Sequence, residues 1–490
     1  MDTRGPRPAL LAGAAFFLVM PLRAQVRAVL TPALSVMPSA SMLSAVPAAG
    51  ASPLSALSAI PTLAASVLPI AAPVATPVAA APSAVASLSA LTARTVDGVP
   101  ALDGLASGRL AFDGAPLSGP EPEASAPRLP AARGDTLEFN GRTLPTRLFS
   151  DQVRISDSLI GAIDATRETL DIAIYELTIR EVHAALQRAK ARGVRVRIVM
   201  DQSHVFPEKQ GHGRSPEVQA LIDEGFDVKM LRGGDLHGIM HNKFAVFDGR
   251  LVETGSYNWS RAADVQHYEN ALFLNEPSRV ASYRNDWAWM WAAAQPIDLN
   301  DPPGPVVIGE DGHGPDLPPA PQDLEKPVEF NGVNLPAQSF TPQGTADIIA
   351  SAIDAARSEV LVADFSFTNA ALMSALKRAK ERGLKVRIVF DRGQYKFLKE
   401  MAEMRELGFD VRLSDGKGAG RGVMHNKFAV LDAKLVETGS FNWTMNGERN
   451  NYENAVYLDA PDDAAGYRAY FERIWARARP ATDADHPAQP

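Results

Sequence analysis

Two histidines, two lysines and a set of small polar side chains recur in this chain at fixed intervals. The stretch MHNKFAVFDGRLVETGSYNW begins at Met240 and returns from Met424 as MHNKFAVLDAKLVETGSFNW. The copies differ only at Phe247/Leu431, Gly249/Ala433, Arg250/Lys434 and Tyr257/Phe441. The spacing H-x-K-x4-D-x6-G-S-x-N selects His241, Lys243, Asp248, Gly255, Ser256 and Asn258, then His425, Lys427, Asp432, Gly439, Ser440 and Asn442. Side chains alternate faces along a strand, so His241 and Lys243 point the same way, as do Ser256 and Asn258. Asp248 and Asp432 have the opposite parity and read as structural residues that order a turn. An imidazole, an ammonium, a hydroxyl and an amide converging on one spot suit an anionic phosphoryl group. Lys supplies fixed positive charge, and Ser and Asn supply donors.

The pattern resembles the HKD motif of the phospholipase D superfamily, present twice. The resemblance runs roughly from Thr136 to Ala478, and its motifs lie inside matching repeats. The flanks M-H-N-K-F-A-V and T-G-S-x-N-W are similar to the short bacterial endonuclease branch and the mitochondrial phospholipase-like branch. Members of those branches usually carry one motif and pair as dimers; here the second motif stands in the same chain. The resemblance implies a two-step displacement at phosphorus. One histidine attacks and forms a phosphohistidine; the other protonates the leaving alcohol, then activates water or another alcohol. It assigns catalysis to His241, His425, Lys243 and Lys427. The lysines, with Asn258, Asn442, Ser256 and Ser440, hold the phosphate oxygens. Glu269 in HYENALFL and Glu453 in NYENAVYL occupy the place of the family's acidic residue that hydrogen-bonds the catalytic imidazole. The family needs no metal or cofactor. Near-identical copies do not separate the two histidine roles; the family's habit points to His241 as the nucleophile.

These groups need elements to position them, and the duplication extends to those elements. LEFNGRTLP near Leu137 returns as VEFNGVNLP near Val328, and ALQRAKARGVRVRIVMD as ALKRAKERGLKVRIVFD. LDIAIY, VRVRIVM, FDVKML, KFAVFD, LVETGS and YENALFL read as short apolar strands. REVHAALQRAKARG, PEVQALIDEG and SRVASYRNDWAWMWAAA read as helices, the first closing on Gly193. The expected fold class is α/β: two tandem phospholipase D-like domains, each a mixed sheet flanked by helices, in a pseudo-twofold arrangement with one shared active site. The expected boundaries are 136–295 and 328–480. Between them lies a Pro/Gly/Asp-rich linker (296–327), and a disordered tail (481–490) follows. Trp259 and Trp443 are expected to pack under the site, and the WAWMW tryptophans in the core. Lys396, Lys399 and Arg421 are candidates for the cleft wall, and His204, His212 and His237 read as loop histidines.

Ahead of the repeats, residues 25–135 form an Ala/Pro/Ser-rich stretch with few charges, expected to be a disordered spacer. Arg4 and Arg7 followed by the apolar run Ala9–Met20 read as a signal peptide over residues 1–24, so the protein is expected to be exported. No later segment is long and apolar enough to be a transmembrane span. The chain has no cysteine, which removes disulfides, thiol catalysis and thiolate metal sites. Its formal net charge of −8 shows no basic footprint of the kind that long duplex binders carry. The expected substrate is therefore a phospholipid head-group phosphodiester, cleaved by a monomer. Three other readings stand beside it. One is a metal-independent endonuclease on single-stranded or duplex DNA or RNA, another a cardiolipin-synthase-like transferase, and the third a non-catalytic surface protein.

Overall fold

The computed structural model describes residues 136–207, 215–304, 306–310, 313–321, 327–342, 344–417 and 422–485. The expected signal peptide (1–24), the spacer (25–135), His212 and Arg421 lie outside the described residues.

Each repeat opens with a small hairpin. Thr136–Phe139 pairs with Arg142–Pro145, and Val328–Phe330 pairs with Val333–Leu335. The Asn-Gly tips take positive φ at both central residues, 51° and 85° in the first and 50° and 97° in the second. That is the geometry of the tight turn whose twist matches the strands it joins.

The apolar runs then build one eight-stranded mixed sheet per repeat. In the first, Thr169–Ile174, Arg195–Asp201 and Asp227–Leu231 run parallel. Helices Arg180–Ala191 and Pro216–Asp223 return the chain between them. Lys243–Phe247 joins antiparallel to Thr169–Ile174, followed in order by Leu251–Gly255, Asn270–Leu274 and Arg147–Phe149. The second sheet repeats this order with Glu359–Asp364, Lys385–Asp391, Asp410–Ser414, Lys427–Leu431, Leu435–Gly439, Asn454–Leu458 and Gln338–Phe340. Strands covered on both faces can be apolar throughout, which is why the central ones read as continuous hydrophobic runs.

Three cores result. One lies on the outer face of the first sheet and contains Ala245, Phe247 and Trp259; its counterpart on the second contains Ala429, Leu431 and Trp443. The third is common to both repeats. It takes Phe244 and Val246 from one sheet, Phe428 and Val430 from the other, and Tyr283, Trp287, Tyr467 and Tyr470 from the closing helices Pro277–Ala293 and Pro461–Arg477. The alternation of strand residues thus assigns one face to a private core and the other to the seam. In WAWMW, Trp287 is buried and donates from Nε1 to Ile172 O at 2.9 Å, while Trp289 and Trp291 are partly buried against the shared core.

Two expectations are corrected. Part of the tail expected to be disordered from 481 is built into the fold as far as Asp485. Arg479–Pro480 pairs with the sheet, Ala481 N donates to Val411 O at 3.0 Å, and Asp485 accepts from Thr482 N at 2.9 Å and from Arg479. The linker is also more than a tether. Gln295–Pro296 extends the first sheet, and Asp235 and Gly314–Pro315 exchange hydrogen bonds of 2.9 and 3.0 Å. Ala320 is buried and Leu317 packs on the shared core. Pro and Gly there mark irregular backbone, not absence of packing. Among the described residues no helix is long and apolar enough to cross a membrane.

Candidate active site

The loop that delivers each motif histidine is held from two sides. On its own repeat, a parallel strand ends in a buried aspartate. Asp201 accepts from Met240 N and from Ser203 N, both at 2.8 Å; Asp391 accepts from Met424 N and Gln394 N, both at 3.0 Å. Burial pushes both carboxyls up, each to about 6, against those amide donors. On the other side, the loop is bound to the opposite repeat. His241 N donates to Tyr452 O and Tyr452 N to Ile239 O; His425 N donates to Tyr268 O and Tyr268 N to Val423 O, all at 3.0 Å.

This stitching explains a difference from the sequence reading. The segment YENALFL was expected to be strand throughout, yet the strand begins at Asn270, and its twin at Asn454. Tyr268 and Tyr452 instead pair their backbones across the seam. The residue that follows each is thereby carried to the other repeat's imidazole. His241 Nδ1 lies 2.9 Å from both oxygens of Glu453, and His425 Nδ1 lies 2.9 Å from Glu269 Oε1. The two imidazole centroids are 6.5 Å apart at an interplanar angle of 78°. Tyr175 packs edge-on to His241 at 5.1 Å, and Phe365 to His425 at 4.8 Å.

Lys243 and Lys427 are fully buried beside the histidines, each donating to the backbone carbonyl of its own repeat's His and each 5.0 Å from an aromatic centroid, Tyr175 or Phe365. Ser256 was expected to help hold phosphate. Its hydroxyl donates instead to Glu269 Oε2 at 2.6 Å and accepts from Asn270 N at 3.0 Å, so it supports the carboxylate. Ser440 accepts from Asn454 N at 3.0 Å. Asn258 is buried and Asn442 half-buried, and neither amide oxygen has a hydrogen-bond partner. Asp248 and Asp432 sit at the far end of the motif strands. Asp248 accepts from the amides of Arg167, Glu168 and Thr169 and from Asn140 Nδ2. Asp432 likewise accepts from the amides of Arg357, Ser358 and Glu359 and from Asn331 Nδ2.

Sequence reasoning missed a buried polar lattice behind the histidines. Asn454 Nδ2 donates to Asn242 Oδ1 at 2.7 Å, and Asn270 Nδ2 to Asn426 Oδ1 at 2.9 Å. Thr254 and Tyr283 donate to Asn454 Oδ1, and Thr438 and Tyr467 to Asn270 Oδ1, at 2.9–3.0 Å. The available signal was the unchanged Asn within both H-N-K and both E-N pairs. Asp201 and Asp391 carried a similar one, since each closes a strand at the same point of its repeat. Lys396 and Lys399 are both exposed, Lys396 just after the short helix Arg392–Tyr395 and Lys399 at the start of the helix Lys399–Glu406. Among the described residues, no group of three or more His, Asp or Glu is placed to hold a metal, His204 and His237 included.

Electrostatics set the resting protonation. Burial lowers His241 to about 4 and His425 to about 3, although Glu453 and Glu269 pull the other way. Burial likewise lowers Lys243 to about 7 and Lys427 to about 8. Burial alone would raise the glutamates, but His425 and its neighbours hold Glu269 at about 2, and His241 holds Glu453 below its usual range. Near pH 7 both imidazoles are therefore neutral and both glutamates charged, while Lys427 is mostly and Lys243 about half protonated. An anion entering between the rings would favour proton uptake by these lowered groups.

Comparison with known proteins adds the following. A family model described as "Cardiolipin synthase, PLD-like domain" matches residues 159–291 and 349–475. Mitochondrial cardiolipin hydrolase of Chlamydomonas reinhardtii is 32% identical over 127 residues, covering 26% of this chain and 52% of that protein. Phospholipase D of Rickettsia bellii is 35% identical over 126 residues, covering 26% of this chain and 58% of that protein. The chain thus spans about half the length of these curated relatives. Among solved structures, the phospholipase D family member Nuc from Salmonella typhimurium is 32% identical, with a TM-score of 0.27, covering 29% of this chain and 95% of that one. Phosphatidylserine synthase of Haemophilus influenzae is 13% identical, with a TM-score of 0.49, covering 69% and 87%.

Proposed function

This chain belongs to the phospholipase D-like family, and from that premise we propose that it is a phosphodiesterase with one active site made jointly by its two repeats. The observation that carries the proposal is the pair of imidazoles 6.5 Å apart, each bound at Nδ1 by the carboxylate of the opposite repeat. A carboxylate at Nδ1 fixes the tautomer and leaves Nε2 for chemistry. One Nε2 attacks phosphorus while the other donates its proton to the leaving oxygen. The second step runs in reverse with water, or with an alcohol in transfer. Lys243 and Lys427, with Asn258 and Asn442, hold the non-bridging oxygens and their developing charge.

The substrate is a phospholipid head-group phosphodiester. The names of the relatives and the absence of a basic footprint at a net charge of −8 favour lipid over a long nucleic acid. Cleavage of nucleic acid is the second reading, carried by the motif flanks M-H-N-K-F-A-V and T-G-S-x-N-W. We also propose export, on Arg4, Arg7 and the apolar run that follows. Amino-terminal sequencing of the mature protein tests it, with a start near Gln25 expected.

The deciding experiment offers the purified full chain phospholipid vesicles and single-stranded DNA, each with chelator, beside a His425→Asn control. Head-group release that the control lacks supports the lipid reading, and DNA cleavage the nuclease one. Turnover of neither overturns the proposal.

A further inference from the structure

The two arms of the site differ at one residue next to each carboxylate. HYEN in the first repeat stands against NYEN in the second, so His267 corresponds to Asn451. Asn451 Nδ2 donates to Glu453 Oε1 at 3.0 Å. His267 instead presents a buried Nδ1 3.7 Å from Glu269 Oε1, and its ring centroid is 6.0 Å from that of His425. Glu269 Oε1 therefore lies between two imidazoles. Its other oxygen takes the Ser256 hydroxyl at 2.6 Å, whereas Glu453 takes its donors from His241 and the neutral amide of Asn451.

We propose that His267 is a positioning residue that breaks the symmetry of the two imidazoles, making His425 the nucleophile and His241 the proton donor. This rests on the phosphodiesterase reading above and reverses the family-based expectation for His241.

The two arms differ in how their carboxylate charge is shared. An imidazolium is stabilised by the carboxylate at its Nδ1, and less so when other donors draw on that carboxylate. Glu269 is drawn on by Ser256 and by a second imidazole that can itself carry charge. Glu453, beside Lys243 as Glu269 is beside Lys427, takes its remaining side-chain donor from the neutral amide of Asn451. The proton that enters with the substrate anion is thus better held on His241, and His425 keeps its Nε2 lone pair. Burial is the main cause that lowers both histidines, and the neighbouring His267 is a further, smaller cause for His425. The other charged groups facing this corner are Lys427 and Lys417, which also act on Glu269. Lys417 Nζ donates to Ser150 O and Asp264 O at 2.9 and 3.1 Å.

The steps balance. His425 Nε2 forms the N–P bond as the P–O bond to the alcohol breaks, and that oxygen takes the Nε2 proton of His241. Neutral His241 then removes a proton from water as the water oxygen bonds to phosphorus and the N–P bond breaks. His425 returns neutral and His241 protonated.

The test traps the phosphoenzyme of the full chain by rapid quench with labelled phospholipid and maps the label to peptides. It is repeated with His267→Asn, which gives both arms the same residue at this position, alongside the pH profile of kcat/KM. Label on His425 is expected in the native protein. In His267→Asn, label shared with His241 and an acid limb displaced by at least about half a pH unit are expected. Label on His241 in the native protein overturns the inference and leaves the phosphodiesterase reading standing, as does a variant with unchanged label partition and pH profile. Turnover with no label on either histidine overturns the covalent mechanism and the inference with it.

Discussion

His241 and Glu453 stand 212 positions apart in the chain, and Nδ1 of the first lies 2.9 Å from both carboxylate oxygens of the second. The reciprocal pair, His425 and Glu269, is separated by 156 positions. Each repeat thus supplies an imidazole and receives a carboxylate, and the crossing is fixed by backbone pairing at Tyr452 and Tyr268.

The crossing makes the glutamates testable by pairs. Glu453→Gln is expected to lower turnover roughly 10²-fold, the scale of losing one well-placed acid–base partner. Glu269→Gln should do the same. Combining Glu453→Gln with His241→Asn should add little to the histidine change alone, while combining it with His425→Asn should add more. Steady-state kinetics of the native protein and these six variants check this, with thermal melts to show that the fold is retained.

Substrate anions should bring a proton with them. Sulfate carries no titrating proton of its own near neutrality, so its binding near pH 6 is expected to show net proton uptake. Calorimetry in buffers of different ionisation enthalpy measures it. Binding with no uptake would mean that one imidazole is already charged in the resting site.

The two histidines should make stability fall on mild acidification, while Asp201 and Asp391, held at about 6, act in the opposite sense. An unfolded histidine takes up its proton near pH 6.5, while folded His241 and His425 do so only at about 4 and about 3. Between these values the unfolded chain binds more protons, so lowering pH favours it. From pH 7 to 5 the slope grows to on the order of 1 kcal/mol per pH unit for each histidine. Glu269, held at about 2, contributes its loss only below its unfolded value near 4.5. Melts of the native protein and of a His241→Asn/His425→Asn double variant should differ by a shallower fall in the variant.

The strand that precedes G-S-x-N tolerates no side chain at its last position. A Cβ on Gly255 would meet Asn270 O at 2.4 Å, and one on Gly439 would meet Asn454 O at 2.2 Å. Both contacts are to backbone next to Glu269 and Glu453. Gly255→Ala is expected to cost about 1–3 kcal/mol and to lower turnover by moving Glu269. Urea unfolding together with kinetics would detect both effects, and native values for both would show that the strand can yield.

Removing Asp201 should loosen the loop that carries His241. Asp201→Ala leaves the amides of Met240 and Ser203 without their acceptor, a loss of roughly 1–3 kcal/mol for buried donors. Lower turnover is expected with KM little changed, since the lost contact aims the histidine and does not bind substrate.

Much of this was legible in the sequence for a physical reason. KFAVF and LVETG are short, apolar and duplicated, so strand period and turn chemistry agreed on one answer, and Asn-Gly and Asp-Gly marked the turns. The H-x-K parity argument assumed one strand, whereas His241 and His425 lie on the loops that precede Lys243–Phe247 and Lys427–Leu431. What could not be read was which partner each group would meet. Glu269 lies close in sequence to His241 but serves His425, because pairing across the seam depends on two surfaces that exist only once both sheets are built. Ser256 has the chemistry of a phosphate donor, yet the turn into Asn270 directs its hydroxyl to Glu269. The Pro/Gly content of 296–327 signalled irregular backbone correctly and said nothing about the groove that receives Leu317.

Tyr268 and Tyr452, each pairing its backbone with the opposite motif, have a consequence for how the chain can change over generations. A change at Glu269 reaches the imidazole of the other repeat, so on the proposed reading neither repeat can act as a spare for its twin. Inheritance meets them as a single indivisible part.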